Sequence, residues 1–237
     1  MPRFYLLLTV SFLFPFMIHA QGDAGSFRCG DKLTDARDGQ AYATVLIGKQ
    51  CWMAQNLNVG NRVDRMMASL NNGVIEKYCY LGKEDSCSVY GGLYRWDEMM
   101  QYDSVEGVRG ICPAGWHIPS NGEWCRMLIH LDPTVKCDSL IFSGKDVCGK
   151  LKQTGTRFWA APNTGATDAS GFGALAAGRL QSSTSKYKLI RRIAFFWTST
   201  QHNTNQALNW VLRNDHSDIF HFYPFKTDGL SVRCIKD

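Results

Sequence analysis

Nine cysteines and six histidines are the residues of this 237-residue chain best suited to chemistry, as metal ligands, as nucleophile and base, or as redox-active thiols. Spacing argues against zinc: no C-x-x-C occurs, and intervals such as Cys79 to Cys87 and Cys125 to Cys137 match no common zinc module. His202, His216 and His221 offer only a weak metal reading, since His216 and His221 share neither a helix face nor a strand face. His117, between Trp116 and Ile118 just ahead of a helix start, reads as a hydrogen-bonded structural imidazole. G-x-S-x-G, H-E-x-x-H, P-loop and Rossmann patterns are all missing, which removes the common hydrolase, zinc-protease and nucleotide readings and leaves a dispersed triad open. Asp97 and Glu98 are adjacent and point different ways, whereas glycosidase carboxylates face each other, so they read as charges at a helix N-terminus. No oxygen-rich cluster suits a hard cation, and no cofactor is expected.

Binding residues are easier to nominate than catalytic ones. A sugar face wants an aromatic plate with amides around it, and Trp159, Trp197 and Trp210 have Asn163, Asn203, Asn205, Asn209 and Asn214 near them in sequence. The ligand candidates are therefore Trp159, Trp197, Asn203, Asn205, Asn209 and Trp210, with the polar stretch 198–206 between two strands as the loop to mutate first. Trp52, Trp116 and Trp124 sit among periodic apolar residues and belong to the core. Lys186, Lys188, Arg191 and Arg192, with Arg179 upstream, read as a solvated loop, with a patch for anionic glycans or an acidic partner as the functional alternative.

These residues need positioning elements. Residues 40–47 and 50–54 around Gly48-Lys49 predict a β-hairpin. Ser120-Asn-Gly-Glu123 has capping-box spacing, and Trp124, Met127, Leu128 and Leu131 then recur at helical intervals up to Asp132-Pro133. A shorter helix is predicted over 145–153, with Gly155 as its stop. Stretches 195–199, 208–212, 219–223 and 230–235 are strand-like. Mixed antiparallel strands with two short helices between them make an α+β domain, and no Pro/Ser linker or repeat divides it.

Composition and the chain start set the compartment. With 45% hydrophobic and 20% charged residues, disorder and a polytopic membrane protein are excluded. Residues 1–20 have a basic start, an apolar stretch interrupted by Pro15, and Ile18-His19-Ala20 before polar Gln21, the pattern of a cleaved signal peptide. No Cys follows that site directly, so a lipoprotein anchor is not expected, and no later segment is long and apolar enough to span a bilayer. The expected product is a secreted or cell-surface protein with a lead over 21–28 and one domain over 29–237. A formal net charge of +5 is too mild to argue for nucleic acid. In an oxidising compartment the cysteines favour disulfides over metal, with one thiol left over, and spacing cannot choose among roughly a thousand pairing schemes.

Four segments together are distinctive: residues 34–58, with Gln50-Cys-Trp-Met-Ala-Gln-Asn-Leu-Asn58; Tyr90-Gly-Gly-Leu-Tyr-Arg-Trp96; Ile111-Cys-Pro-Ala-Gly-Trp-His-Ile-Pro-Ser-Asn-Gly-Glu-Trp124; and Ser231-Val-Arg-Cys-Ile-Lys-Asp237. In this order they resemble the Fibrobacter succinogenes major paralogous domain (FISUMP), found in exported and surface proteins, notably of the Bacteroidetes and Fibrobacteres. The resemblance covers about residues 29–237 and implies no defined biochemical activity. Gly115-Trp-His-Ile-Pro-Ser-Asn-Gly-Glu-Trp124 and Gly91-Gly-Leu-Tyr94 are similar to segments of the formylglycine-generating sulfatase-modifying family, which implies a C-type lectin-like fold. That enzyme's late pair of reactive cysteines has no counterpart, since Cys234 stands alone after Phe195. Likewise Asn209-Trp210-Val211 does not supply the calcium-binding Trp-Asn-Asp strand of sugar-binding C-type lectins.

The FISUMP resemblance favours disulfides Cys29 with Cys51, Cys79 with Cys87, Cys112 with Cys234 and Cys125 with Cys137. It leaves Cys148 as a free thiol or as a competitor of Cys125 for Cys137. Location, framework and missing chemistry together point to an exported, non-enzymatic binding or adhesion module for a glycan or surface protein. Two alternatives stand beside it: a polysaccharide-acting enzyme with facing carboxylates, and a structural subunit of a surface assembly with an exposed apolar patch.

Overall fold

The computed structural model describes Met1 and residues 27–237, so the signal-peptide reading and most of the 21–28 lead lie outside the described residues. Phe27, at the end of that lead, packs edge-on against Trp116 with centroids 5.7 Å apart.

In chain order the elements are β1 (Leu33–Thr34), β2 (Ala41–Tyr42), β3 (Thr44–Ile47), β4 (Gln50–Met53), β5 (Asn61–Arg62) and β6 (Glu76–Lys77), followed by α1 (Glu84–Tyr90), α2 (Trp96–Met99), β7 (Trp116–His117), α3 (Asn121–Leu131) and α4 (Val147–Leu151). The C-terminal part is mostly strand, with one 3-10 turn over Ser182–Thr184: β8 (Arg179–Gln181), β9 (Lys186–Lys188), β10 (Ile193–Gln201), β11 (Ala207–Arg213), β12 (Phe220–Phe222) and β13 (Ile235–Lys236). The result is an α+β fold with mostly antiparallel strands, β5 with β6 being a parallel pair.

The β3–β4 hairpin turns at Gly48, whose φ of +61° suits glycine. A Cβ there would also meet the His130 ring at 3.1 Å, so the turn lies directly on α3. Helix α3 begins with a complete capping box: Ser120 Oγ accepts from the Glu123 N–H while Glu123 accepts from the Ser120 N–H. Such a cap contributes about 1 kcal/mol, and Trp124, Met127 and Leu128 then face the core as their spacing requires.

Four α-helices stand among the described residues where the sequence predicts two. Helix α1 buries only Cys87, so it carries no apolar period, and the Cys79–Cys87 disulfide closes the segment leading into it. Helix α2 is a single turn with Asp97 and Glu98 at its start, the role their sequence suggests. The 230–235 stretch is also not one strand. Leu230 and Ser231 make isolated bridges to Tyr94 and Phe196, and only β13 joins a ladder, in the sheet β3-β4-β13-β7.

Strands β10, β11 and β12 form the second sheet, and side-chain alternation explains its apolar runs. Phe195, Trp197 and Val211 point into one core layer with Tyr94, Trp96 and Trp116. Phe196, Leu208, Trp210 and Leu212 point into the other, with Trp52, Trp124, Trp159 and Phe172. A sheet buried on both faces wants apolar residues at nearly every position. Cys112–Cys234 ties the strand that enters β13 to the middle of the chain across 122 residues, and Cys29–Cys51 and Cys125–Cys137 complete four disulfides among the described residues.

Candidate functional site

Burial corrects the aromatic candidates first. Trp159, Trp197 and Trp210 are each at most 1% exposed, and each indole N–H donates inside the protein, to Ala174 O, Tyr94 O and Asn121 Oδ1 respectively. A ring enclosed on both faces offers no plate to a sugar, and the physical reason is the two-sided sheet that holds two of them. Asn209 is likewise fully buried opposite Phe222, with both side-chain amide atoms lacking a partner. The polar loop is shorter than its sequence suggests, because β10 runs to Gln201 and takes Thr198 and Ser199 into the interior.

Asn203 and Asn205 remain exposed in that loop. Asn203 Oδ1 accepts from the N–H groups of Asn205 and Gln206, both at 2.9 Å, and so shapes the turn. The loop is laced to the segment after β12: Gln206 Nε2 donates to Tyr223 O, the Lys226 N–H donates to Asn205 O, and His202 stacks on the Tyr223 ring at 4.0 Å.

Beyond Tyr223 lies an aromatic ledge around a cavity of 190 Å³, lined by Phe222, Tyr223, Pro224, Phe225, Arg179 and Asp228 with Gln181 and Ser183. Phe225 is 54% exposed. An antiparallel bridge between Leu180 and Gly229 sets Arg179 beside Asp228. Asp228 Oδ1 accepts from the N–H and hydroxyl of Ser182, both at 2.8 Å, while Oδ2 has only Arg179 Nη1 at 3.4 Å. The Arg179 guanidinium lies 5.3 Å from the Phe195 ring centre, and its buried Nε–H has no acceptor. This ledge combines ring faces with a carboxylate and a guanidinium that both retain hydrogen-bonding capacity. Lys186 and Lys188 pair with Gln181 and Arg179 across the β8–β9 hairpin, so part of the basic run borders it. Sequence reading missed the ledge because single phenylalanines in an apolar strand carry no sign of which one ends outside.

The titratable candidates resolve into structural roles. His117 Nε2 pairs with Glu123 Oε1 at 3.0 Å and Nδ1 with Asp237 Oδ1 at 2.6 Å. The hydrogen bond His117 donates to Glu123, aided by that to Asp237, raises the His117 pKa against the opposing pull of burial. For Glu123, burial pushes upward but is outweighed by His117 and Ser120, leaving it at about 2. His216 stacks on Phe142, and His221 is buried against Trp210 with its pKa lowered by burial. Among the described residues no group of three or more His, Cys, Asp or Glu could hold a metal ion. The free Cys148 is fully buried, and burial pushes its thiol up to about 11 although Lys152 pulls the other way, so it is a protonated, inert thiol.

Among the described residues no helix is long and apolar enough to cross a membrane. The disulfide framework fits an oxidising, extracellular location. No curated protein and no solved structure matches the chain. The family model described as the Fibrobacter succinogenes major domain matches residues 45–236, most of the two sheets and every helix described above. The chain therefore belongs to the Fibrobacter succinogenes major domain family, a family of surface and secreted domains whose molecular function is undefined.

Proposed function

We propose that this chain, freed of a signal peptide at residues 1–20, is an exported, non-enzymatic binding module with a C-type lectin-like domain over 29–237, and that the aromatic ledge holds a glycan. The observation that carries this reading is the ledge itself. Phe222, Tyr223 and Phe225 supply ring surface for the C–H face of a sugar, and Arg179 and Asp228 have spare donor and acceptor positions for adjacent hydroxyls. A hydroxyl both donates and accepts, so one diol can bridge a carboxylate and a guanidinium that only weakly satisfy each other. Asn203 and Asn205 stand beside this surface and extend it with exposed amides. Asp228 is the one carboxylate lining the ledge, which favours binding over a hydrolysis that needs two facing carboxylates.

The test is a glycan array with the oxidised mature protein, repeated after Phe225→Ala and Arg179→Gln. Binding that falls about tenfold or more in folded variants supports the ledge as the site. Binding that survives both, or no binding to any glycan, overturns it.

A second reading, a subunit of a surface assembly, is favoured by Leu140, Ile141 and Phe142, three consecutive apolar residues that are 55%, 66% and 36% exposed. Sedimentation of the mature protein as a monomer at high concentration would remove support for self-assembly through that loop.

A further inference from the structure

A second cleft, at 420 Å³ larger than the ledge cavity, opens between β2 with residues 54–58 and the segment around Gln153, on residues the ledge does not use. Its floor is Arg233. The guanidinium is buried, 1% exposed, and rests 4.0 Å from the Phe172 ring centre. Its Nε–H donates to Asn56 Oδ1, Nη1 to the carbonyls of Met53 and Phe172, and Nη2 to Gly173 O. Arginine has five N–H donors, so one Nη2 hydrogen has no acceptor among the described residues. None of these partners is a carboxylate. The Asp168 carboxylate stands behind Gly173, whose N–H it accepts, and makes no ion pair with Arg233. Burial lowers the Arg233 pKa to about 9, against an opposing pull from the Asp168 carboxylate that no hydrogen bond reinforces.

The walls carry neutral amides, most of them satisfied by neighbouring groups. Gln40 Oε1 accepts from Asn58 Nδ2, Gln40 Nε2 donates to Asp38, and Asn58 Oδ1 accepts from Lys77. Gln153 is the exception: its Oε1 is buried and has no partner. Phe158 forms one side, with Tyr90 edge-on at 6.0 Å and the Arg157 guanidinium 4.9 Å from its ring centre. No residue lining the cleft is acidic. Gly91 keeps the wall close, since a Cβ there would meet Asn56 Cβ at 2.5 Å.

The cleft thus has a buried cation with a spare donor and no hydrogen-bonded carboxylate, an orphan acceptor and a ring face, with room for one or two sugar-sized rings. We infer that it is a binding site for a hydroxylated carboxylate of the sugar-acid class, the carboxylate meeting Arg233, a hydroxyl donating to Gln153 Oε1 and the ring lying against Phe158. A neutral sugar would satisfy Gln153 and leave the buried cation unpaired, which is the basis of discrimination. This inference is independent of the ledge, because the two sites share no residue.

The experiment titrates the oxidised mature protein with glucuronate and with glucose, which differ at one carbon, by calorimetry or NMR shifts. Glucuronate is expected to bind at least about tenfold more tightly than glucose. Gln153→Ala and Phe158→Ala should each weaken glucuronate, and Phe225→Ala on the ledge should leave it unchanged. Arg233→Lys keeps the charge but loses the planar fork, and should also weaken binding; if it does not fold, the ligand pair and the Gln153 variant still decide. Equal binding of the two sugars, no saturable glucuronate binding, or binding indifferent to Gln153→Ala and Phe158→Ala overturns the proposal. Failure here with glycan binding retained at the ledge would reject the cleft alone.

Discussion

The ledge draws its lining from two short stretches, 179–183 and 222–228, whereas the cleft gathers 40–58, 87–91, 153–158, 173–175 and Arg233 from nearly the whole described chain. The ledge stands on the rim of the β10–β11–β12 sheet, and its exposed ring, Phe225, supports little else. In the cleft the floor residue is also a core residue: Arg233 holds three backbone carbonyls and a side-chain amide while stacking on Phe172. Stability and recognition can therefore be separated by substitution at the ledge and are entangled in the cleft.

The largest effect should come from cutting the strap that holds the cleft floor. Cys112–Cys234 closes 122 residues and is adjacent to Arg233 in sequence, and the chain-entropy model gives such a bridge about 4–5 kcal/mol. Replacing both cysteines with serine should lower the urea midpoint steeply. A loss under about 1 kcal/mol would show that the sheet β3-β4-β13-β7 holds the floor unaided.

Next in size is the contrast between two arginines. Arg233→Met strands the carbonyls of Met53, Phe172 and Gly173 with Asn56 Oδ1 in the interior, and should cost about 3–5 kcal/mol. Arg179→Met removes a 3.4 Å contact to an Asp228 that still accepts two hydrogen bonds from Ser182, and should cost about 1 kcal/mol. Equal costs in chemical denaturation would erase the distinction drawn between the two regions.

The same contrast explains what the sequence discloses. The capping box at Ser120, the turn at Gly48 and the strands that became β10 and β11 are local patterns, and they are where the sequence places them. Helix α1, with one buried residue, has no local pattern to read, and the strand-like pattern of 230–235 cannot show that its first residues make isolated bridges to two different segments instead of one ladder. At the candidate sites, tryptophan type alone cannot distinguish a plate from a core ring when the strand is buried on both faces. Trp197 and Trp210 lie in such strands, while Phe225, whose ring reaches solvent, follows the edge strand β12. The cleft was invisible because its chemistry arises from segments brought together only by the fold.

A smaller, pH-dependent effect should appear on the cleft side. Cys234, next to Arg233, leads into β13, where Ile235 pairs with His117, and His117 is clamped by Glu123 and Asp237. The folded His117 pKa is raised above its ordinary 6.5, so its contribution is fully present below that value and is lost as pH rises through the folded pKa. Glu123 is lowered from 4.5 to about 2, so its contribution is present above 4.5 and is lost as pH falls toward 2. The clamp is therefore strongest between about 4.5 and 6.5. His117→Gln should lower stability by about 1 kcal/mol in that window and by progressively less above the folded His117 pKa, read from chemical denaturation at a series of pH values. An unchanged profile would show that the imidazole is neutral in the folded protein.

The smallest stability effect should be the most informative about function. Phe225 is 54% exposed, so Phe225→Ala gives up little buried area and should stay within about 0.5 kcal/mol in thermal unfolding. If the ledge stacks a sugar, the same variant loses a ring face from a small cavity whose other groups cannot replace it, and glycan affinity should fall about tenfold. Phe158→Ala makes the matching test at the cleft, where Phe158 is half-buried against Tyr90 and some stability must be lost with binding. A Phe225 variant that melts early would mean the ring holds the loop of Asn203 and Asn205 in place, making the ledge a structural rim. A variant that melts normally and binds poorly would locate recognition at the one aromatic surface whose removal the fold does not register.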